Sequence, residues 1–256
     1  GAKRAILIDF PDFNLRLAKE LKRRGVKVVY YISPQVWAWR KGRVRSISRD
    51  VDLMLVLLPF EVDFYAHHGV DAVHVGHPLV DEVPELLQVW EEAKRPDEAR
   101  HGQPYRIALL PGSRKSEINV LLPVLLETAA LLHERVDVRF SIIRASTIGE
   151  NLLRKAVETC RAEVEIVHEN RFQTIADSHL ALCAAGTATL EVGLLKTPMI
   201  VTHRVAMASY VLGRLLVRLP YTSLVNLLLD RRAVPELLQF QANPHNLCEA
   251  TLELLE

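Results

Sequence analysis

The sequence contains little cysteine and no cysteine motif. Its three cysteines, Cys160, Cys183 and Cys248, are scattered over 256 residues, and none stands in a CxxC pair. This pattern gives neither a disulfide framework nor the ligand spacing of a zinc site, so we expect a cytoplasmic protein. His74 and His77 lie close together in the sequence but have no third ligand nearby, so we interpret them as loop histidines.

Long apolar runs and a large net charge are also absent. No uninterrupted apolar run approaches the roughly 18 residues of a membrane-spanning helix, so we expect no transmembrane segment. The formal net charge is +1, which argues against a protein that binds nucleic acid or acidic lipid over its whole surface. The chain begins at Gly1, with a strand-like segment soon afterwards and no signal peptide before it, and we expect it to be a fragment.

Short apolar segments alternate with helical patterns, which predicts parallel, doubly wound α/β sheets. Strands are predicted in two groups, at residues 5–8, 26–32, 53–57 and 72–75, and at residues 106–110, 138–143, 163–167, 180–184 and 199–202. The stretch between the groups is rich in Pro, Glu, Gln, Lys and Arg. We therefore predict two Rossmann-like domains, residues 1–84 and 105–256, joined by a linker at residues 85–104, with a ligand held in the cleft between them.

The strongest local motif follows the strand predicted at residues 107–110. Gly112 and Ser113 belong to a turn at the carboxyl end of that strand, where open α/β sheets bind ligands. Their backbone N–H groups, the following helical turn and the Arg114 guanidinium could together bind a diphosphate. An ordinary strand-to-helix turn with a surface arginine explains the same residues about equally well. The main helix is predicted to begin at Pro123, because proline is favoured at the first helical position.

The strand predicted at residues 180–184 ends in a similar way. Gly186 would let a phosphate approach the backbone, and Thr187 can cap the helix that follows. Glu191 could accept two hydrogen bonds from a ribose diol. The alternative for Glu191 is an ordinary favourable interaction with the helix dipole. Two such corners in one domain indicate a nucleotide more strongly than either corner alone.

Two polar residues are candidates for catalysis. Asp9 directly follows the first strand, where a carboxylate could act as a general base. The alternative is that Asp9 caps the next helix, but Asp12 fills that role at least as well, so we assign function to Asp9 and capping to Asp12. Asn226 is a polar residue in the apolar run 221–228, and a buried amide needs hydrogen-bond partners, of which a ligand is one candidate.

Two further segments have more than one interpretation. The aromatic and basic residues 37–49 could bind nucleic acid, but nothing else supports this, and we prefer a loop whose cations contact a phosphorylated small molecule. A solvated helix face would also explain Arg43, Arg45 and Arg49. Residues 204–218 combine apolar residues with arginines and could touch a membrane interface. We favour an amphipathic helix packed on its own domain.

Seven short motifs span nearly the whole chain. They are IDFPDFN at residues 8–14, SPQVWAWR at 33–40, LPFE at 58–61, VGH at 75–77, LLPGSR at 109–114, GTATLE at 186–191 and SLVNLL at 223–228. In this order they resemble the signatures of the lipid-A-disaccharide synthase family, inverting glycosyltransferases of the two-domain GT-B architecture. The resemblance implies transfer of a 2,3-diacylglucosamine from UDP to 2,3-diacylglucosamine 1-phosphate, with release of UDP.

The resemblance also implies roles for particular residues. Asp9 resembles the essential carboxylate and base, Asn226 a polar active-site residue, Arg114 the arginine of the nucleotide loop and Glu191 the ribose-binding acid. The implied UDP-sugar contacts are Gly112, Ser113, Arg114, Glu117, Gly186, Thr187, Ala188 and Glu191. No metal and no cofactor is implied. The implied location is cytoplasmic and peripheral on the inner face of the inner membrane, with lipid contact, no nucleic acid and a possible homodimer.

The chain departs from the family pattern in two places. Ala185 stands where many members have serine. A Gly-Glu-x-Ser-Gly-Asp-like loop near the start of family members is absent, and the members continue beyond Glu256. We therefore expect an incomplete first domain, and a chain that binds UDP but forms little disaccharide. The alternatives are another UDP-sugar enzyme of peptidoglycan N-acetylglucosaminyltransferase or epimerase type, a non-catalytic nucleotide-binding remnant and an RNA-binding protein.

Overall fold

The structure is a computed structural model that describes residues 1–38, 41–81, 103–205 and 219–256, with the single positions 88, 207 and 210. The described residues form two compact units. The first contains Gly1–Asp81 and Leu219, and the second contains residues 103–205 and Pro220–Glu256. The linker predicted at residues 85–104 lies almost wholly outside the described residues, so its boundaries stay predictions.

The first unit is built on a parallel four-stranded sheet. In chain order its elements are β1 Arg4–Ile8, α1 Pro11–Arg23, β2 Lys27–Tyr31, α2 Val44–Asp50, β3 Leu53–Val56, α3 Phe60–Ala66 and β4 Ala72–His74. The strands lie in the order β1-β2-β3-β4, so each connection leads to the neighbouring strand. Each strand agrees with its predicted range to within one residue at either end.

The core of the first unit lies on one face of its sheet. Leu7 and Tyr30 point to that face and are buried against the helices. Ile6 and Ile8 alternate with Leu7 along β1, and both are exposed, as is Val73 in β4. Alternation of this kind follows from the period of two along a strand.

The second unit has a parallel six-stranded sheet. Its elements are β5 Tyr105–Leu110, α4 Lys115–His133, β6 Val138–Ile143, α5 Glu150–Val157, β7 Val164–Val167, α6 Arg171–Ala176, β8 Leu180–Ala184, α7 Ala188–Leu194, β9 Met199–His203, α8 Leu224–Leu229, β10 Glu236–Leu238 and α9 Pro244–Leu255. The strand order is β10-β9-β8-β5-β6-β7. β10 was not predicted, because a three-residue strand that follows Pro235 shows no clear pattern.

Both faces of the second sheet are covered. On one face, Leu109 and Phe140 pack with Leu125 of α4 in a large apolar cluster. On the other, Ala108 packs in a second cluster with Val192 of α7. Strands buried on both faces read as continuous apolar runs, which is why the sequence locates most of these strands closely.

The prediction that the main helix begins at Pro123 is wrong. α4 begins at Lys115 and continues through Pro123 to His133. Pro123 cannot donate a hydrogen bond to the carbonyl group of Asn119, which costs stability inside a helix. The ring itself is exposed, whereas its neighbours Leu122 and Val124 are buried, and their packing offsets that cost.

α4 is long and apolar enough, by length and composition alone, to cross a membrane. Half of its apolar window is buried inside the protein, however. Ile118, Leu125 and Leu132 are among its buried residues, and they belong to the larger apolar cluster of the second unit. Its apolar character is thus explained by its position as the central helix of that unit.

Candidate functional site

The strand order of the second unit brings the two predicted corners together. β5 pairs with β6 on one side and with β8 on the other. From β5 the chain builds the sheet outwards through β6 and β7, and it then crosses back to add β8, β9 and β10 on the other side of β5, so the strand order reverses between β5 and β8. In open α/β sheets the carboxyl edge at such a point is where ligands bind. Leu110 pairs with Cys183 at the ends of these two strands. The loops that begin at Pro111 and Ala185 therefore leave the sheet side by side.

The corner after β5 is held by an acid from the first turn of α4. Arg114 is the N-cap residue of α4, and Glu117 is the third residue of the helix. Glu117 Oε2 accepts hydrogen bonds from the backbone N–H groups of Ser113 and Arg114, each over 3.3 Å. Glu117 Oε1 lies 2.7 Å from Arg114 Nη1, and the Arg114 side chain is 77% exposed. Of the two N–H groups predicted to bind an anion, those of Gly112 and Ser113, the Ser113 group therefore binds a carboxylate of the protein itself.

Two features of this corner favour glycine at position 112. Its φ of +105° lies in the region that only glycine adopts readily. A Cβ atom at this position would lie 2.7 Å from Glu117 Oε2, which is too close for two non-bonded atoms. The loop after β6 also supports the corner, because Thr147 Oγ1 donates to the Ser113 carbonyl over 2.7 Å.

The corner after β8 has a different geometry. Gly186 has a φ of +153°, and Thr187 at the N-cap of α7 is exposed and forms no capping hydrogen bond. The prediction that the Thr187 side chain caps the helix is therefore wrong. Thr189 Oγ1 instead donates to the Gly186 carbonyl over 2.7 Å, because its side chain is the one turned back towards the loop. Ala188 begins the helix and presents only its backbone and methyl group.

Glu191, the predicted ribose acid, lies one turn into α7. Its side chain is 15% exposed, and its Oε1 atom lies 3.4 Å from Arg171 Nη2 at the start of α6. Arg171 was not predicted from the sequence, because this contact joins two helices and has no local signal. The charge of Glu191 also affects Cys183 in the core. Burial of the Cys183 thiol raises its pKa, and the negative charge of Glu191 raises that pKa further. Cys183 is therefore a protonated core residue.

His203 adds a titratable group at the same edge. It is the last residue of β9, the strand next to β8. Burial lowers the pKa of His203, and the charge of Glu117 opposes this shift. His203 is thus neutral near pH 7 and close enough to Glu117 to sense its charge.

Asn226 is buried, and its own unit satisfies its side chain. Its Nδ2 atom donates to the Val234 carbonyl over 3.0 Å and to Glu236 Oε1 over 2.8 Å. Its Oδ1 atom accepts from the backbone N–H groups of Ala233, over 2.8 Å, and Val234, over 3.0 Å. These four bonds use the whole capacity of an amide side chain. The protein itself supplies the partners for which a ligand was one candidate, and the catalytic role of Asn226 stays a prediction.

Glu236 links Asn226 to the start of its helix and was not predicted from the sequence either. Besides Asn226, Glu236 accepts hydrogen bonds from the backbone N–H groups of Thr222 and Ser223 and from the Ser223 hydroxyl. Its position in the short strand β10 gave no periodic signal. α8 also packs on α7, since a Cβ atom on Gly193 would lie 3.3 Å from Val225. Asn226 thus stabilises a segment that contacts the helix of Glu191.

In the first unit, Asp9 is exposed and has a strained backbone. Asp9 and Phe10 have φ values of +47° and +43°, in the left-handed region that residues other than glycine rarely occupy. Tyr30 Oη donates to the Asp9 carbonyl over 2.6 Å. Asn14 Nδ2 donates to the same carbonyl over 2.8 Å and to that of Ile8 over 2.9 Å. Strain of this kind is kept where surrounding bonds hold it, and it concentrates at functional sites.

Asp12 does not cap α1. The N-cap residue is Phe10, and Asp12 lies within the first turn, where its carboxylate pairs with Arg43. The helix begins earlier than expected because the left-handed Phe10 turns the chain and Pro11 suits the first helical position. The Arg43 side chain is only 28% exposed, so Arg43 is not on a solvated helix face.

The aromatic and basic segment is partly internal. Trp37 is 8% exposed, and its indole N–H donates to Glu61 Oε1 over 3.0 Å. Glu61 also accepts from the Ser33 hydroxyl and from the backbone N–H of Leu58. A buried Trp37 cannot stack on a nucleic acid base. Trp39 and Arg40, in the same motif, lie outside the described residues.

Other candidate ligand sites are few in the part of the chain that the structure describes. No group of three His, Cys, Asp or Glu side chains in this part could hold a metal ion. His77 caps a short 3-10 turn at Pro78–Val80, and His74 lies at the end of β4. A surface cavity of about 350 Å³ lies between α5 and β7, lined by residues such as Arg154 and Glu165. None of its lining residues was predicted as a site residue.

Known proteins resemble this chain over nearly its whole length. The chain is 44% identical to the lipid-A-disaccharide synthase of Myxococcus xanthus over 246 residues, which is 96% of this chain and 64% of that protein. It is 43% identical to the enzyme of the same name from Syntrophus aciditrophicus, covering 98% of this chain and 65% of that protein. The chain thus spans just under two thirds of the length of these curated relatives.

The fold agrees with that of solved structures. A putative UDP-N-acetylglucosamine 2-epimerase from Listeria monocytogenes matches with a TM-score of 0.61 and 11% identity, over 99% of this chain and 66% of that one. At this identity the match shows the fold alone, and it confirms the predicted α/β class of GT-B type. Residues 2–256 match the protein family described as lipid-A-disaccharide synthetase. The chain therefore belongs to the lipid-A-disaccharide synthetase family.

Proposed function

We propose that this chain acts as a glycosyltransferase in lipid A biosynthesis. It transfers a 2,3-diacylglucosamine from its UDP donor to 2,3-diacylglucosamine 1-phosphate and releases UDP. The observation that carries this proposal is the pair of glycine corners, at Gly112 and Gly186, on either side of one strand-order reversal. Family membership over residues 2–256 selects this reaction over the other UDP-sugar enzymes.

The second unit binds the donor. The diphosphate lies at the start of α4, where the helix dipole and the Arg114 guanidinium meet its charge. Glu117 must give up its bonds to the backbone N–H groups of Ser113 and Arg114 before an anion can take them. Gly186, Thr187 and Ala188 present backbone to the donor, and Glu191 accepts the ribose hydroxyls. Once Glu117 has released the N–H groups of Ser113 and Arg114, they stabilise the charge that develops on the leaving UDP.

The first unit supplies the base. Asp9 takes the proton from the acceptor hydroxyl as its oxygen forms a bond to the anomeric carbon of the donor, and the bond from that carbon to the UDP oxygen breaks. Attack opposite to the leaving group inverts the anomeric configuration. The hydrogen bonds of Tyr30 and Asn14 to the Asp9 carbonyl support this role, because a base must be held in one geometry.

Because its proposed substrates are acylated, we expect the protein to work at a lipid surface. We expect a peripheral position on the inner face of the inner membrane, with the enzyme working as a monomer or a homodimer. The candidate amphipathic segment at residues 204–218 lies largely outside the described residues. Flotation of the chain with liposomes of anionic lipid tests this contact, and recovery of all protein in the dense fraction would contradict it.

Binding of UDP tests the donor site directly. A ligand that binds only the folded state at 100 times its dissociation constant adds about 2.7 kcal/mol of stability. UDP should therefore raise the unfolding temperature more than ADP or GDP at equal concentration. Equal shifts with all three nucleotides, or no shift, would contradict the proposed donor site.

Product analysis then tests the acceptor and the acyl groups. An active form of the protein is incubated with acylated and unacylated UDP-glucosamine donors together with 2,3-diacylglucosamine 1-phosphate in detergent. Disaccharide formed from the acylated donor alone supports the proposal. An epimerised donor, or transfer from the unacylated donor, would point to one of the other UDP-sugar enzymes.

A further inference from the structure

Arg171 reaches from the start of α6 to Glu191 in α7. Its Nη2 atom lies 3.4 Å from Glu191 Oε1, and its guanidinium carbon lies 4.4 Å from the centroid of the Phe172 ring. The cation is therefore held by a carboxylate and by the face of an aromatic ring. We infer that Arg171 positions Glu191 to recognise the ribose of a nucleoside diphosphate. This inference rests on the proposed function.

The place of Arg171 in its own helix does not favour a positive charge. It is the first residue of the six-residue helix α6, where the helix dipole opposes a cation. Arg154 and Glu150, by contrast, form a pair between neighbouring turns of a single helix. Arg171 and Glu191 are 20 residues apart and join two helices at the carboxyl edge of the sheet. The contact with Glu191 therefore accounts for an arginine at this position better than the local helix does.

Glu191 needs such a partner because of its burial. Its side chain is only 15% exposed, and an ionised carboxylate withdrawn from water is costly unless it is paired. The ionised form is the one required here, since it only accepts hydrogen bonds and both hydroxyls of a ribose can donate to it. A guanidinium 3.4 Å away orients this carboxylate without a short bond that a ligand would have to break.

The charge and the shape of Arg171 can be removed separately. Arg171→Gln removes the charge, so Glu191 loses its contact with the guanidinium. We expect UDP to bind roughly two- to fivefold more weakly, the range of one modest charged contact. Arg171→Lys keeps the charge without the planar fork and should lose less. Arg154→Gln is the matched control, because it breaks an exposed arginine and glutamate pair in the same unit.

Calorimetric titration of the four proteins with UDP and with 2′,3′-dideoxy-UDP tests the inference. The wild type should bind UDP more tightly than the dideoxy nucleotide. Arg171→Gln should lose most of this preference and bind the dideoxy nucleotide as the wild type does, whereas Arg154→Gln should keep the preference. A folding defect would weaken the binding of both nucleotides equally. The ratio of the two affinities therefore distinguishes a loss of Glu191 positioning from a loss of folded protein.

Three results would contradict the inference. An unchanged preference for UDP in Arg171→Gln would show that Glu191 does not depend on Arg171. If both variants of Arg171, to Gln and to Lys, lost the same affinity for UDP and for the dideoxy nucleotide, Arg171 would act on the phosphates or on the stability of the fold. A wild-type chain that binds no UDP would overturn the proposed function, and the inference with it, before any variant is compared.

Discussion

The carboxylate of Glu117 accepts the backbone N–H of Ser113 over 3.3 Å and fills the position that the sequence predicts for a bound anion. It also accepts from the N–H of Arg114 and pairs with the Arg114 guanidinium. A carboxylate and a phosphate are bound by the same groups at a helix N-terminus. Binding of a diphosphate here is therefore an exchange of one anion for another.

Glu117→Gln should strengthen UDP binding. The amide keeps an oxygen for the N–H groups of Ser113 and Arg114 but removes the charge that opposes the diphosphate. A charge near a helix terminus is worth about 0.3–1 kcal/mol, so we expect a roughly two- to fivefold gain at low salt that fades as salt is added. Calorimetric titration measures this change.

Arg114→Ala supplies the comparison for that experiment. It should weaken UDP binding by roughly 10- to 100-fold, because a hydrogen bond to a charged group is worth about 1.5–3 kcal/mol. If Glu117→Gln also weakens binding, then Glu117 contacts the nucleotide itself, as the resemblance implies.

Gly112→Ala should destabilise the second unit by about 1–3 kcal/mol. The new Cβ would lie 2.7 Å from Glu117 Oε2, at a φ of +105° that alanine rarely adopts. Urea unfolding of the variant measures the loss. Ser113→Ala is the control, since Ser113 is exposed and its backbone N–H is retained, and it should change stability by less than about 0.5 kcal/mol. Equal stability of the two variants would show that the corner rearranges freely.

Asp9→Asn should abolish transfer and leave UDP affinity unchanged in an active form of the protein. Asparagine tolerates the left-handed backbone found at Asp9, where φ is +47°, so the fold is kept while the proton acceptor is lost. Turnover and calorimetric binding are measured on the same preparation. Substantial residual turnover would indicate a different base.

In an active form of the protein, Tyr30→Phe should lower turnover without changing UDP affinity. It removes the 2.6 Å hydrogen bond to the Asp9 carbonyl, which helps to hold the strained backbone, and should cost about 1 kcal/mol of stability. Burial and then the charge of Asp9 raise the pKa of Tyr30, so its hydroxyl stays protonated as the donor. Tyr31→Phe removes a hydroxyl from the next residue of β2 and is the control. The same turnover in both variants would show that the Asp9 backbone needs no such bond.

Stability should fall as the pH is lowered through about 6.5, the ordinary pKa of histidine. Burial, and then the positive charge of Arg106, lowers the pKa of His179 in the folded state. Below that pH the unfolded chain therefore binds more protons than the folded protein does. The contribution of neutral His179 to the free energy of unfolding is complete above this pH and is lost as the pH falls. His179 Nδ1 accepts the Arg106 backbone N–H over 3.0 Å, which a protonated ring cannot do.

His179→Asn should flatten this dependence, because its amide oxygen can accept the same N–H at every pH. Thermal unfolding between pH 5 and pH 8 measures the slope. His245→Asn changes an exposed histidine of the same unit and should leave the slope as it is. A wild-type slope in His179→Asn would assign the effect to another group, such as His203, whose pKa is also lowered by burial.

Much of the architecture is determined by local sequence. Every described strand except β10 is found within one or two residues of its predicted range, because apolar runs bounded by turn residues are local signals. Gly112 and Gly186 are placed correctly at turns for the same reason, since only glycine adopts their φ values easily. Family membership also follows from short motifs along the chain.

Only the tertiary structure decided which groups meet. β8 lies beside β5 through pairing of residues far apart in the chain, and this pairing alone brings the two corners to one edge. Three contacts depend on side-chain positions that no local pattern encodes. They are the hydrogen bonds that Glu117 accepts at the corner after β5, the contact of Arg171 with Glu191 and the four hydrogen bonds of the Asn226 amide. The continuous helix through Pro123 has the same origin, because burial of its neighbours outweighs the propensity of one residue.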